Sequence, residues 1–272
     1  MGSGCNVCLM VDSPLLPFDA GKPSPPRVHD YGLGGKDNFV ADREVAAQLQ
    51  EILPNVGRLV RESREFVARA VDFVARQGVT QFIDVGCGMP ADPATHEVAL
   101  SASPDARVAY VDNDAMVIAH VAALLARPGQ VAAVAGDTRR PEEVLGSPEL
   151  TALIDTGRPF CVILAFVLDF IEPRQAATLM AAFRDAMPAG SYLILSIGSN
   201  QDPVLIRDCS VAFGNTLRLN WHSRAQVAGY VADLEVAEPG MITARCWRPP
   251  SPPRAEDTPR RADVLAVVAR KP

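Results

Sequence analysis

The sequence predicts an α/β protein built on a doubly wound, mostly parallel sheet with an antiparallel hairpin at one edge. Three observations predict it. Short apolar runs ending in Gly or Asp alternate with stretches of helical period, as βαβ units require. The run Phe160 to Val167 is almost wholly apolar, as a central parallel strand covered on both faces must be. The last strand-like runs have no full helix between them, so they fold back on each other.

The elements follow in order. Pro23, Pro25 and Pro26 mark a loop. Residues 42–56 and 58–76 read as helices. In the second, Leu59, Val60, Phe66, Val67, Ala70, Val71 and Val74 recur at helical spacing, and Gly78 ends it. Strands are expected at 81–85, 107–111, 131–135, 160–167 and 191–197. Helices are expected over 93–102, 114–126, 140–154 and 173–186, with Asp92 as N-cap and Pro93 as first residue of the first of these. The tail offers strands at 234–237, from Gly240 onward, and at 264–269. The proline-rich run Arg248 to Arg261 reads as a disordered connector. There is no internal repeat. The chain divides into an arm (1–22), a helical flap (23–78) and a core (79–272).

Composition narrows the function classes. With 272 residues the chain can bury a substantial core, and 48% hydrophobic with 21% charged residues is ordinary for a globular protein. A net charge of −6 gives no basic field for nucleic acid. No apolar run reaches the roughly eighteen residues of a membrane span. The first stretch has no basic n-region, so it reads as a loose arm rather than a signal peptide. Cys5 and Cys8 stand without two further ligands, so no metal site is expected. The scattered Cys87, Cys161, Cys209 and Cys246 read as reduced thiols of a cytoplasmic protein. A symmetric dimer is the default assembly.

The chemistry concentrates at strand ends. Asp84-Val85-Gly86-Cys87-Gly88 closes the first strand and leads into a helix, and its glycines let a ligand approach the backbone. Ala91 completes a nominal G-x-G-x-x-A, which keeps a nicotinamide dinucleotide open. Against it, Pro90 sits badly in a phosphate loop, and Asp112 lies beyond the usual spacing for a ribose acid. A second acidic strand end, Asp137-Thr138, favours S-adenosylmethionine. Asp112 would then serve the ribose diol and a further polar side chain the adenine amine; for Asp112 the alternative is a solvated loop acid. Asp84, Gly86, Gly88, Asp112, Asn113, Asp137 and Thr138 are the cofactor candidates.

Arg27-Val28-His29-Asp30-Tyr31-Gly32-Leu33-Gly34-Gly35-Lys36-Asp37-Asn38-Phe39 resembles the N-terminal signature of a bacterial S-adenosyl methyltransferase family long filed as a domain of unknown function. The likeness continues through Phe82 to Gly88, Thr95 to Val98, Tyr110 to Asp114, Gly136-Asp137, Gly190 to Ser196, Glu238 to Gly240 and Trp247 to Pro249. It implies a class I, Rossmann-like seven-stranded fold, S-adenosylmethionine as methyl donor, and an N-terminal segment that folds over the cofactor. Lys36, Asn38 and Phe39 then join the cofactor set. Characterised relatives methylate carbon 3 of indoles and so trigger closure to a pyrroloindoline. This chain departs from the pattern with Cys87 for a threonine, His29 for a tyrosine and Asp169 for a histidine.

Methyl transfer needs the acceptor held in line and, for some acceptors, a base. His96 and Glu97 fall in the first turn of the helix after the glycine loop. The positive helix end keeps imidazole neutral there, which suits a base; for Glu97 the alternative is dipole compensation. Tyr31 is a further catalytic candidate, or a packing residue of the flap. Phe166, Asp169 and Trp221, with His222, are candidates for the acceptor pocket; His120 reads as structural. The function expected is a small-molecule methyltransferase acting on an indole-type acceptor, without nucleic-acid or membrane partners. Rivals are N- or O-methylation of another metabolite, a cofactor-binding protein without catalysis, and an NAD-dependent oxidoreductase.

Overall fold

The computed structural model describes residues 15, 18–200, 202–213, 218–252 and 262–272. The Cys5 and Cys8 pair, and residues 253–261 of the proline-rich connector, lie outside the described residues.

Five parallel strands form the centre: β1 (Gln81–Val85), β2 (Arg107–Asp112), β3 (Val131–Ala135), β4 (Cys161–Ala165) and β5 (Tyr192–Ser199). Three more complete the sheet: β6 (Glu235–Val236), β7 (Ile242–Thr243) and β8 (Asp263–Arg270). The order along the sheet is β3-β2-β1-β4-β5-β8-β6. β8 runs antiparallel to β5 in an unbroken register from Tyr192 opposite Arg270 to Ser199 opposite Asp263. Seven strands lie on this path, as expected. The eighth, β7, pairs with β8 off the path, opposite Leu265 and Ala266. Both partners on that side of β8 are two residues long, which leaves little unpaired edge. Strand order reverses between β1 and β4, and that crevice is where such sheets bind ligands.

Period-two alternation sends side chains to two layers. Phe82, Ile163, Ile194 and Val268 face α3 (Val56–Arg76), whose Phe66, Ala70, Val71 and Val74 are fully buried. Ile83, Val85, Leu164 and Leu195 face the opposite layer, where α8 (Pro173–Ala186) contributes Met180 and Phe183. Among the described residues, no helix is long and apolar enough to cross a membrane.

Several boundaries differ from expectation for local reasons. Pro25 and Pro26 open a helix, α1 (Pro25–Leu33), instead of marking a loop. At first-turn positions a missing N–H leaves nothing unpaired, and proline's fixed φ suits the helix. Gly34, at φ 86°, ends it. A second flap helix, α2 (Val40–Ile52), follows. The helix after the glycine loop, α4 (Thr95–Ala102), begins later than expected. Its N-cap is Ala94, whose N–H donates to the Glu97 carboxylate, so Asp92 does not cap it. After α5 (Ala115–Leu124), the expected 140–154 helix is two short ones, α6 (Pro141–Leu145) and α7 (Pro148–Thr151), interrupted at Gly146-Ser147. Beyond β5, α9 (Pro203–Ala212) and α10 (Arg224–Tyr230) lie in a stretch to which apolar periodicity assigns nothing. Asp202 and Ser223 cap them.

Candidate active site

Gly86 and Gly88, both at φ 67°, carry the chain from β1 across the switch point. A Cβ on Gly86 would stand 2.6 Å from the Val167 side chain, so the loop admits no larger residue there. At Gly88 a Cβ would meet Arg64 Nη2 at 3.3 Å and Pro26 at 3.8 Å, so α3 and α1 both reach over this turn. Arg64 also donates to the Cys87 carbonyl at 3.1 Å.

Asp112, the last residue of β2, turns its carboxylate back onto the loop. Oδ2 accepts from Gly88 N–H at 3.0 Å and Oδ1 from Asp114 N–H at 2.9 Å. Burial raises its pKa to about 6 against those hydrogen bonds. A carboxylate oxygen has two lone pairs, so each retains capacity for a hydroxyl donor. Asn113 follows directly and is half-buried. Buried Asp84 accepts from Thr95 Oγ1 at 2.7 Å, and its pKa is raised by burial. At the end of β3, burial pushes the Asp137 carboxyl up, but hydrogen bonds and charge from Arg139 outweigh it and hold it below the ordinary value. Thr138 beside it is buried. This set fits an adenosyl ligand: space at the glycines, an acid at the ribose position, polar groups at the next strand end, and one guanidinium at the loop.

The flap motif is organised mainly around its own acids. Asp30 Oδ2 accepts from Asp37 N–H and from Asn38 Nδ2, which folds the glycine-bounded loop. Phe39 is the N-cap of α2; its N–H donates to Asp42, and its ring lies 5.5 Å from that of Phe18. Lys36 is exposed. Arg27 pairs with Asp42 at 2.9 Å and reaches Asp114 at 3.8 Å, and Ser24 Oγ donates to Asp114 at 2.7 Å. The flap is thereby fastened two residues beyond Asp112.

A cavity of about 560 Å³ opens between α1, α2, the start of α3 and the ends of β4 and β5. His29, Phe166, Asp169, Phe170, Phe213 and Trp221 line it, with Tyr31, itself 42% exposed. Phe166 follows β4 at φ 57°, a conformation that costs a bulky residue of order 1–3 kcal/mol and concentrates at functional sites. Its N–H donates to Ser196 O, and its ring meets His29 edge-on at 5.6 Å. Burial, with the nearby Arg64 charge, lowers the His29 pKa to about 4. Asp169 Oδ1 accepts from Gly198 N–H at 2.9 Å; Oδ2 is buried and has no partner among the described residues. Burial raises the Asp169 pKa to about 7.

The structure thus brings Tyr31, Phe166, Asp169 and Trp221 to one cavity, and Gly86, Gly88 and Asp112 to the adjoining loop. His96 and Glu97 are not lining residues of that cavity. His96 is buried under α4, with Nδ1 3.0 Å from Tyr110 OH, and its pKa is lowered by burial first and the Arg127 charge second. Glu97 satisfies the Ala94 N–H. One residue, Arg64, escaped sequence reasoning. Arg64 sits in a charged R-E-S-R-E run that reads as a solvated helix face. His222 was grouped with the acceptor pocket, but its ring bonds the backbone behind Asp169.

The family model described as S-adenosyl methyltransferase matches residues 14–272. A solved protein from Thermobifida fusca YX, described as a candidate methyltransferase, is 36% identical with a TM-score of 0.85, over 93% of this chain and 96% of that one. A DUF574 family protein from Streptomyces avermitilis MA-4680 is 30% identical with a TM-score of 0.88, over 93% and 99%. Magnesium protoporphyrin IX methyltransferase (ChlM) from Synechocystis PCC 6803, with bound S-adenosylhomocysteine, shares the fold at a TM-score of 0.50 and 14% identity, over 90% and 93%. None of the curated proteins matches the chain. The nicotinamide alternative falls with the family match. The chain belongs to the S-adenosyl methyltransferase family and is a class I methyltransferase that uses S-adenosylmethionine.

Proposed function

We propose that the methyl acceptor is an aromatic small molecule of the indole type, bound in the cavity between His29, Phe166 and Trp221, with Asp169 as the proton acceptor. The observation that carries this reading is the composition of the cavity: ring side chains on several sides and one buried carboxylate. Flat rings orient an aromatic acceptor by stacking and edge contacts.

The cofactor supplies a methyl group already activated on a sulfonium. Asp112 and Asn113 would hold its ribose, Asp137 and Thr138 its adenine end, and Arg64 its carboxylate, with the 23–78 flap closing over them. The remaining work is positioning and proton transfer. His29 and Asp169 both stand on the cavity wall. A base is most effective with a pKa near the working pH. His29 near 4 is too weak a base at neutral pH, while Asp169 near 7 is poised. For an indole attacking through carbon 3, a carboxylate offsets the positive charge that gathers on the ring nitrogen. When a neighbouring N–H closes on carbon 2, one proton leaves, and Asp169 takes it. The same carboxylate would accept a proton from an O–H or N–H acceptor, which makes N- or O-methylation the second reading.

The test is methyl transfer from labelled S-adenosylmethionine to tryptamine, tryptophan-containing cyclic dipeptides, phenols and amines, with products identified by NMR. A 3-methyl pyrroloindoline supports the first reading, and an N- or O-methyl product the second. Tight cofactor binding without transfer to any of them would overturn both readings of the acceptor.

A further inference from the structure

We propose that His222, locked as one tautomer by Tyr230, is a positioning residue that sets the Asp169 carboxyl in place. The proposal rests on the reading of Asp169 given above.

Asp169 stands in a single 3-10 turn, Leu168–Phe170, between β4 and α8. So short a turn pairs only Leu168 O internally, with Ile171 N–H at 2.9 Å, and buried carbonyls beyond that need partners from elsewhere. Those partners come from one short segment, Asn220 to His222. Asn220 N–H donates to Asp169 O at 2.7 Å. His222 Nε2 lies 2.9 Å from Leu168 O and 3.1 Å from Ile171 O. Facing two acceptors, Nε2 must carry the proton. Nδ1 is then an acceptor, and Tyr230 OH, 2.5 Å away, donates to it. His222 is 2% exposed, and its pKa is lowered by burial, against the two carbonyls that raise it. It is therefore neutral at pH 7, as a single tautomer requires. Trp221, between Asn220 and His222, packs its ring near Gly198, the residue whose N–H holds Asp169 Oδ1.

His222 is not a lining residue of the cavity, so it acts through the turn. If the turn loosens, Asp169 gains water. Burial is the leading influence on Asp169, opposed only by N–H groups of Gly198 and its own backbone. Hydrating the carboxyl must bring its titration toward the ordinary aspartate range.

The experiment is a carbon-13 NMR titration of protein labelled at the aspartate carboxyl, with Asp169→Asn assigning the resonance; no acceptor is needed. We expect His222→Leu and Tyr230→Phe to lower the Asp169 midpoint by about one pH unit or more. His222→Gln, whose amide keeps a donor near the Nε2 position, should restore most of the wild-type value. A folded His222→Leu with an unchanged midpoint would overturn the proposal, since a purely structural histidine alters melting temperature alone. Should His222→Leu fail to fold, Tyr230→Phe decides by the same shift. Inactivity of Asp169→Asn is a separate matter: full activity there sinks Asp169 as the base and leaves the titration result standing.

Discussion

Arg27 Nε donates to Asp42 Oδ2 at 2.9 Å, with the two side chains only 3% and 0% exposed. A pair so enclosed stabilises little relative to apolar residues, but removing one partner strands a buried charge. Arg27→Ala or Asp42→Ala is expected to cost about 3–5 kcal/mol of unfolding free energy. Urea denaturation checks it, and a loss below about 1 kcal/mol would show the pair to be hydrated.

The Asp169 carboxyl carries a pH dependence of definite sign. As the proposed base it must be ionised, so turnover is expected to rise with pH through about 7. Stability runs the other way. The folded state binds more protons than the unfolded chain between the ordinary aspartate value of 3.8 and about 7, so stability is lost as pH rises through that window. Asp169→Asn should remove both slopes and lower kcat by about 100-fold or more. Thermal melts at pH 5 and pH 8 that keep the same difference in the variant would refute the assignment.

Gly198 offers a probe of the site that leaves its polar groups in place. An added Cβ would lie 2.7 Å from Asp169 Oδ1. Gly198→Ala should therefore push the carboxylate off its N–H and lower kcat at least tenfold, with cofactor affinity unchanged. Calorimetry and steady-state kinetics on one preparation separate the two quantities.

Gly86→Ala should do the reverse. It forces a Cβ to 2.6 Å from Val167 at a positive φ, which strains the loop proposed to cradle the cofactor. Calorimetric titration with S-adenosylmethionine should show affinity weakened at least tenfold; equal affinity would mean that the loop stands clear of the ligand.

Much of the fold was legible because its signals are local. The run from Gln81 to Val85 could only be a buried strand, and Pro173 to Ala186 was placed to the residue. The glycine loop and Asp112 were legible for the same reason, since their chemistry and spacing are contiguous. What was hidden depends on contacts far apart in the chain. Pro25 and Pro26 look like breakers until a helix begins at them. His96 looks like a base until Tyr110, on a neighbouring strand, engages its ring. Arg64 looks like surface charge until Gly88 lies beneath it. The neighbours that decide each role are set by tertiary structure, which periodicity does not encode.

One nine-residue helix, α1, places Pro26 against the glycine loop and His29 on the wall of the acceptor cavity. On the proposed placement of donor and acceptor, the two ligands share a door. Lifting that helix to exchange one dismantles the enclosure of the other, so independent, random-order traffic is disfavoured. On that reading, exchange of donor and of acceptor is coupled through one short helix, and a change in α1 is expected to alter the affinity for both.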